Sequence, residues 1–256
     1  MQYELMNKNR VLAIIEISKN FTGIVKIIDT IPYYIGDIPA WVGNRASPIG
    51  RANVEYLLKL AGIRNKEEYL SVTHGISMTD TFWFRRVGDS ITWEKISPYR
   101  NRFSRVISEI CLNGEYKYNG ELRSPSPDYK IEGSVDKCWK HVNGETYLFK
   151  TAGECFTGLA GLRPYMEYYA SQVADCLIDN KNHFVKYGIS VGLTKNGFRK
   201  PYVVCKAITN EQRGLLAYGD SKYSNISLDE LDKHYLNYES RKILREMIVL
   251  DSIILN

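Results

Sequence analysis

Hydrophobic and polar positions alternate in the first part of the chain, as they do in β-strands. The stretches "RVLAIIEI" from Arg10 and "GIVKIIDTIPYYIG" from Gly23 predict two paired strands, with Asn20 to Gly23 as the turn between them. In "NVEYLLKLAG" the apolar residues recur at helical spacing, and Gly62 is placed to end that helix. "KEEYLSVTHG" predicts a second short helix that ends on Gly75, and "TDTFWFRR" returns to strand-like alternation. These elements predict a compact α/β unit with its own core.

The composition changes between Gly114 and Tyr129. The stretch "GEYKYNGELRSPSPDY" is rich in Gly, Ser and Pro and has no apolar periodicity, which predicts a linker or an exposed loop. We therefore place a domain boundary near residue 118.

A hairpin and a helix are predicted after this boundary. Asn143-Gly144 is a hairpin turn inside "EGSVDKCWKHVNGETYLFK", and the second strand of the hairpin ends on Lys150. Pro164 occupies a favoured first position of a helix. Glu167 lies about 100° around that helix from Met166, at the flank of an apolar stripe. The stripe consists of Met166, Tyr169, Ala170, Val173 and Leu177.

Two strands and two helices complete the predicted elements. The strands surround a second Asn-Gly turn in "KYGISVGLTKNGFRKPYVVCKAIT". Ser227 and Glu230 form a capping box for the first helix, and the last helix begins near Glu239.

The composition is that of a globular protein with a real core, because 44% of the residues are hydrophobic and 25% are charged. The five cysteines are scattered without a CxxC pair and the four histidines are dispersed, which argues against a zinc site or a disulfide framework and for a reducing cytoplasm. No apolar run approaches the roughly 20 residues that span a bilayer, and the residues after Met1 lack a signal-peptide pattern, so we expect no membrane partner. The net charge of +5 is spread along the chain, so direct nucleic-acid binding is not favoured.

The order of the candidate residues indicates a function. A glycine turn at Gly133-Ser134 is followed by the strand lysine Lys150, the helix glutamate Glu167 and a strand ending in "VVCKAIT", which is the order of a protein-kinase N-lobe. In such a lobe, main-chain N–H groups approach phosphates closely, the lysine neutralises them and the glutamate holds the lysine. The structural alternative is that Lys150 is a solvated strand end and Glu167 an ordinary boundary residue. No G-x-G-x-x-G motif is present.

The stretches "SPDYKIEGSVDKCWK", "TYLFKTA", "PYMEYYASQVA", "KPYVVCKAIT" and "REMIVLDSIILN" resemble successive blocks of HipA-like serine/threonine kinases, the bacterial toxin-kinase family. The resemblance covers about residues 120 to 256, and the part before it resembles an accessory region of one subgroup. It implies an α+β fold in three parts. An N-terminal α/β accessory domain (1–118) precedes a kinase-like N-lobe of the five-stranded type with its hinge (119–210), and the first helices of a truncated C-lobe follow (211–256).

The resemblance also assigns residues. It makes Lys150 the phosphate-contacting lysine and Glu167 its partner, and it places Gly133 and Ser134 in the loop over the phosphates. The hinge, which contacts adenine through main-chain groups, would consist of Lys206, Ala207 and Ile208. Family members often carry an acidic residue where this chain has Lys206, a change that main-chain contacts would survive.

In the family, a helix like "MIVLDSIILN" leads into a catalytic loop with Asp, His and Asn, and a further Asp completes the Mg²⁺ site. This chain stops at Asn256, and neither Asp220 nor Asp251 is assigned as a catalytic base. We therefore expect a fragment that is inactive alone, from a kinase that uses ATP and Mg²⁺ to phosphorylate a protein hydroxyl and has a possible antitoxin-type partner protein. The alternative is a non-catalytic, pseudokinase-like module that binds a partner protein.

Overall fold

A computed structural model of the chain describes residues 1–18, 22–32, 35–47, 50–114, 122–151, 160–179, 184–193 and 199–215. The helices predicted near Ser227 and Glu239 and the turn predicted at residues 196–197 lie outside these residues, as does half of the Asn20 to Gly23 turn. The described residues form an α+β structure with two antiparallel sheets.

The first sheet contains four described strands in the order β3-β2-β1-β4. The predicted pairing of β2 with β3 is confirmed, whereas β1 was not predicted. β1 is covered on both faces, because Leu5 packs into the main core and Met6 into a smaller cluster with Trp83 and Trp93. Burial on both faces removes the alternation that marks a half-exposed strand. The strands are β1 (Gln2–Asn7), β2 (Arg10–Ile17), β3 (Thr22–Ile27) and β4 (Phe82–Arg86).

Five described helices accompany this sheet. They are α1 (Ile38–Arg45), α2 (Ala52–Leu60), α3 (Lys66–Thr73), α4 (Trp93–Ile96) and α5 (Arg105–Asn113). α2 ends as predicted before Gly62, whose φ angle of +65° a glycine adopts at little cost. α3 ends at Thr73, close to the predicted Gly75, but the left-handed cap is His74 with a φ angle of +51°, followed by Gly75 at +60°. α1 and α5 were not predicted. Asp37 and Ser104 cap their first turns by accepting hydrogen bonds from main-chain N–H groups.

The second sheet contains four described strands in the order β5-β6-β8-β7. They are β5 (Lys137–Val142), β6 (Glu145–Thr151), β7 (Gly188–Leu193) and β8 (Arg199–Lys206). Asn143 and Gly144 have φ angles of 52° and 82°, so the predicted hairpin turn is confirmed with both of its central residues at positive φ. The helix α6 (Arg163–Leu177) lies between β6 and β7 in the chain, and Pro164 is in its first turn as predicted. The N-lobe was expected to be of the five-stranded type, and its described residues supply four strands.

One hydrophobic cluster joins the two sheets. It contains Leu5 from the first sheet and Cys138 and Tyr202 from the second. α5 packs against both α2 and β5, and the Tyr202 hydroxyl donates a hydrogen bond to Asn113 Oδ1 at 2.8 Å. The domain boundary predicted near residue 118 falls at residues 115–121, outside the described part of the chain, and stays a prediction.

The described segment that follows this boundary is largely buried, although Arg123 is exposed. Pro127, Asp128 and Tyr129 form a buried 3-10 turn, and Ser126 caps it with its hydroxyl. The prediction of a linker or exposed loop is therefore wrong for the described residues from Leu122 to Tyr129. The polar side chains are buried because they bond to one another and to the main chain, which composition does not reveal.

Candidate functional site

Lys150 extends from the face of the second sheet that is turned away from the main core. On β6 the neighbouring Phe149 packs against that core, and side chains alternate along a strand. Lys150 is paired across the strands with Val203 of β8 on one side and with Lys137 of β5 on the other. The strand continues to Thr151, and Lys150 is tolerated near its end because the lysine side chain lies on the face that α6 covers.

The predicted contact between Lys150 and Glu167 is present. The Lys150 ammonium donates a hydrogen bond of 2.7 Å to Glu167 Oε2, and the two side chains are 18% and 35% exposed. Pro164, Ser171 and Ala174 are the buried residues of α6, so the covered stripe runs through positions 164, 167, 171 and 174. This spacing puts Glu167 on the sheet side of the helix.

The apolar stripe predicted for α6 faces away from the sheet instead of packing against it. Met166, Tyr169, Val173 and Leu177 are each 46–65% exposed, and Ala170 is exposed as well. The small side chains of Ser171 and Ala174 let the helix lie close to the sheet, so the small residues form the contact and the large ones remain outside. Ser171 is also anchored, because its hydroxyl accepts a hydrogen bond of 3.1 Å from the N–H of Tyr187.

Tyr187 is a third member of the site and was not predicted from the sequence. The Lys150 ammonium donates a second hydrogen bond of 2.7 Å to the Tyr187 hydroxyl and lies 4.6 Å from the centre of its ring. Burial by itself lowers the pKa of Lys150, but the hydrogen bonds to Glu167 and Tyr187 outweigh burial and raise it. Lys150 is therefore a fixed positive charge at neutral pH.

The glycine turn lies beside this group. Gly133 has a φ angle of +95°, and both Gly133 and Ser134 are exposed. The φ angle favours glycine, and a Cβ added at Gly133 would lie 2.7 Å from Nζ of Lys137, so a larger residue would have to displace this ammonium. The Lys137 ammonium donates a hydrogen bond of 2.6 Å to the carbonyl of Glu132, at the start of the turn. The sequence analysis did not identify Lys137, whose position follows from the strand register.

The predicted hinge lies further along β8. Lys206 is opposite Tyr147, three residues along β6 from Lys150 and thus roughly 10 Å away along the sheet. Its exposed ammonium lies 2.9 Å from Glu145 Oε1. The N–H of Ala207 donates a hydrogen bond of 2.8 Å to the carbonyl of Thr146 and so continues the sheet. Ile208 is 49% exposed.

A second lysine–glutamate pair occurs on the opposite face of the same sheet. The Lys140 ammonium of β5 donates a hydrogen bond of 2.6 Å to Glu109 of α5. The two pairs are similarly buried, so a strand lysine bonded to a helix glutamate does not by itself define a binding site. The face of the second sheet that bears Lys150, called the Lys150 face below, differs because Lys137 and the turn at Gly133 lie beside it.

A cavity of about 750 Å³ lies away from Lys150, between the start of α5 and the β5–β6 turn. Arg102, Arg105 and Lys140 are among its lining residues, together with a stacked pair formed by Phe103 and His141. None of the predicted site residues lines this cavity.

Comparisons of the chain with protein-family models, with curated proteins and with solved structures give no match. Within the described ranges, no group of three or more His, Cys, Asp and Glu side chains is placed to hold a metal ion. None of the helices in these ranges is both long enough and apolar enough to cross a membrane.

Proposed function

We propose that the chain is the N-terminal portion of a HipA-like serine/threonine kinase and that its Lys150 face binds the phosphates of ATP. The observation that carries this proposal is the ion pair of 2.7 Å between Lys150 and Glu167. In protein kinases a strand lysine contacts the nucleotide phosphates and a helix glutamate holds it in place. Glu167 takes that second role here, and Tyr187 adds a further contact to the same ammonium.

The connectivity of the second sheet supports a kinase-like N-lobe. The lysine strand β6 lies between β5 and β8, and the glutamate helix α6 follows β6 in the chain. The turn at Gly133 and Ser134 precedes β5, so it reaches the end of the sheet that bears Lys150. β8 then leads to Lys206, Ala207 and Ile208, the residues assigned to the hinge. Because the N–H of Ala207 is bonded to Thr146, the adenine contacts are assigned to the other main-chain groups of these three residues.

The residues of this face fit a phosphate group. Lys150 keeps its positive charge, and the glycine turn allows a close approach of main-chain N–H groups. Mg²⁺ would compensate the remaining phosphate charge in the complete kinase. The proposal assigns neither a metal ligand nor a catalytic base to the described residues.

ATP binding tests the proposal. Lys150→Ala should weaken ATP binding about tenfold or more, because a charge-assisted contact to phosphate contributes roughly 1.5–3 kcal/mol. Lys140→Ala is the matched control, since it removes an equally buried strand lysine bonded to a helix glutamate on the opposite face. Isothermal titration calorimetry of both variants measures the effect. Equal losses in the two variants, or no ATP binding by the unmodified chain, would contradict the proposal.

In the complete kinase the phosphate acceptor would be a serine or threonine of a protein substrate, and an antitoxin-type protein would be a partner. We place this activity in the cytoplasm, since Cys111, Cys138, Cys176 and Cys205 are free thiols.

A non-catalytic protein-binding module is the second candidate function. The exposed apolar residues of α6, with Met166 and Tyr169 each more than 60% exposed, favour it. In that case the unmodified chain would bind a partner protein but no ATP, and Lys150→Ala would leave partner binding unchanged. The calorimetric experiment separates the two functions.

A further inference from the structure

Lys137 is the residue from which we draw a further inference. It lies directly opposite Lys150 in the antiparallel pairing of β5 with β6. Directly opposite side chains share one face of a sheet, with their Cβ atoms about 4.5–5.5 Å apart. Like charges in this position destabilise a sheet, so two adjacent lysines need a compensating negative charge.

The charge around Lys137 is not balanced by the described residues. Lys137 is 7% exposed, and its ammonium donates one hydrogen bond, to the carbonyl of Glu132. An ammonium has three N–H groups. Within residues 122–151 and the other described ranges, no carboxylate lies within ion-pair distance of Lys137, and Glu167 is bonded to Lys150.

A third cation, Arg51, lies beside this pair and also interacts with the buried carboxyl group of Asp128. Arg51 is 3% exposed and donates hydrogen bonds to the carbonyls of Val135 and Lys137, which fixes the chain behind the glycine turn. The Nε of Arg51 has no hydrogen-bond partner. Burial, and then the charges of Arg51 and Lys150, lower the pKa of Lys137 to about 8, although the charges of Glu167 and Glu132 partly oppose this shift.

A di- or triphosphate supplies the kind of charge that these residues lack. Buried cations are normally paired with anions, and the three cations here adjoin an exposed glycine turn. We propose that Lys137 is a second phosphate-binding lysine and that Lys137 and Lys150 together hold neighbouring phosphate groups of one ligand. Gly133 is part of the same arrangement, because any larger residue would displace the Lys137 ammonium. This inference extends the proposed function, which uses Lys150 alone.

A purely structural role of Lys137 is the rival explanation, in which its ammonium only holds the Glu132 carbonyl. That role requires no ligand. It predicts that phosphate compounds leave the pKa of Lys137 unchanged.

Pyrophosphate is a suitable probe, because it carries two linked phosphates and no base. In the unmodified chain, an NMR titration of the lysine side chains should show that saturating pyrophosphate raises the pKa of Lys137 from about 8 by one unit or more. Calorimetry should show that Lys137→Met binds pyrophosphate at least tenfold more weakly than the unmodified chain. Lys137→Arg should retain most of the affinity. Lys140→Met is the control on the same strand and should bind normally.

The outcomes distinguish this inference from the proposed function. An unchanged pKa of Lys137 at high pyrophosphate overturns the inference, and this measurement needs no variant that has to fold. If ATP binds and Lys150→Ala weakens it while Lys137→Met does not, the inference fails and the proposed function stands. If pyrophosphate raises the pKa of Lys137 but neither ATP nor ADP binds more tightly than pyrophosphate does, the proposed function fails and the second phosphate lysine stands.

Discussion

The substitution Asp128→Asn should stabilise the protein at neutral pH and not in acid. The Asp128 carboxyl group is fully buried, and burial raises its pKa from 3.8 to about 6 in spite of hydrogen bonds from the N–H of Trp139 and from Ser108 and Ser126. The neutral acid fits this site, because its O–H can donate to Ser108 while Ser108 donates to the carbonyl of Trp139. An asparagine amide can make the same donation at every pH.

The size of the effect follows from the two pKa values. A carboxyl group whose pKa is higher in the folded state favours folding below pH 3.8, and this contribution is lost as the pH rises to about 6. The shift of about 2 pKa units corresponds to about 3 kcal/mol at 1.36 kcal/mol per unit. The free energy of unfolding of Asp128→Asn minus that of the unmodified chain should therefore increase by about 2–3 kcal/mol between pH 4 and pH 7.

Urea unfolding followed by circular dichroism at half-unit pH steps measures this difference. Titrations that both proteins share cancel in the subtraction. Asp29→Asn is the control with the opposite sign, because hydrogen bonds from Thr30 and Arg10 lower the pKa of that exposed carboxyl group. A difference between Asp128→Asn and the unmodified chain that stays constant with pH, or that decreases towards pH 7, would refute the reasoning.

Two further predictions concern stability. Gly75→Ala should cost about 1–3 kcal/mol, because the new Cβ would lie 2.6 Å from Cδ2 of Phe84 at a φ angle of +60°. Gly88→Ala also has a positive φ angle but meets nothing within 4 Å, so equal losses in thermal unfolding would disprove the role of the contact. Arg45→Met should cost about 3 kcal/mol, because it leaves Asp80 without its partly buried ion pair and removes a hydrogen bond of 2.7 Å to the carbonyl of Gly75. A loss in urea unfolding no larger than that of the exposed Arg64→Met would contradict this.

Residue types that favour turns and helix ends predicted the hairpin and the ends of two helices. The hairpin at Asn143-Gly144 was predicted because these two residue types adopt positive φ angles easily. The ends of α2 and α3 were predicted for the same reason, from Gly62 and Gly75. The contact of Lys150 with Glu167 was predicted from the order of strand and helix, whereas its role in ATP binding is still a prediction.

The orientation of α6 could not be predicted from periodicity. Hydrophobic spacing identifies two faces of a helix, but it assigns the larger apolar side chains to the interior by default. Here Ser171 and Ala174 are buried and Met166 is exposed, since close packing on the sheet requires small residues. Tyr187 and Lys137 were missed for different reasons. Tyr187 lies 37 residues beyond Lys150 in the chain and just before β7, and a single sequence does not place it beside the lysine. Lys137 lies opposite Lys150 across the hairpin, so the two-residue turn at Asn143-Gly144 was a signal that could have identified it.

The position of α5 between the two sheets has a consequence for synthesis on the ribosome. Asn113, the last residue of α5, is 89 residues away in the chain from its hydrogen-bond partner Tyr202. At about 5–20 residues per second, translation takes roughly 5–20 s to cover that distance. During this interval Asn113 lacks its partner from β8, although the described strands of the first sheet have already been made. The contact of α5 with β8 therefore forms only after β8 has been synthesised, and a slower ribosome delays this step.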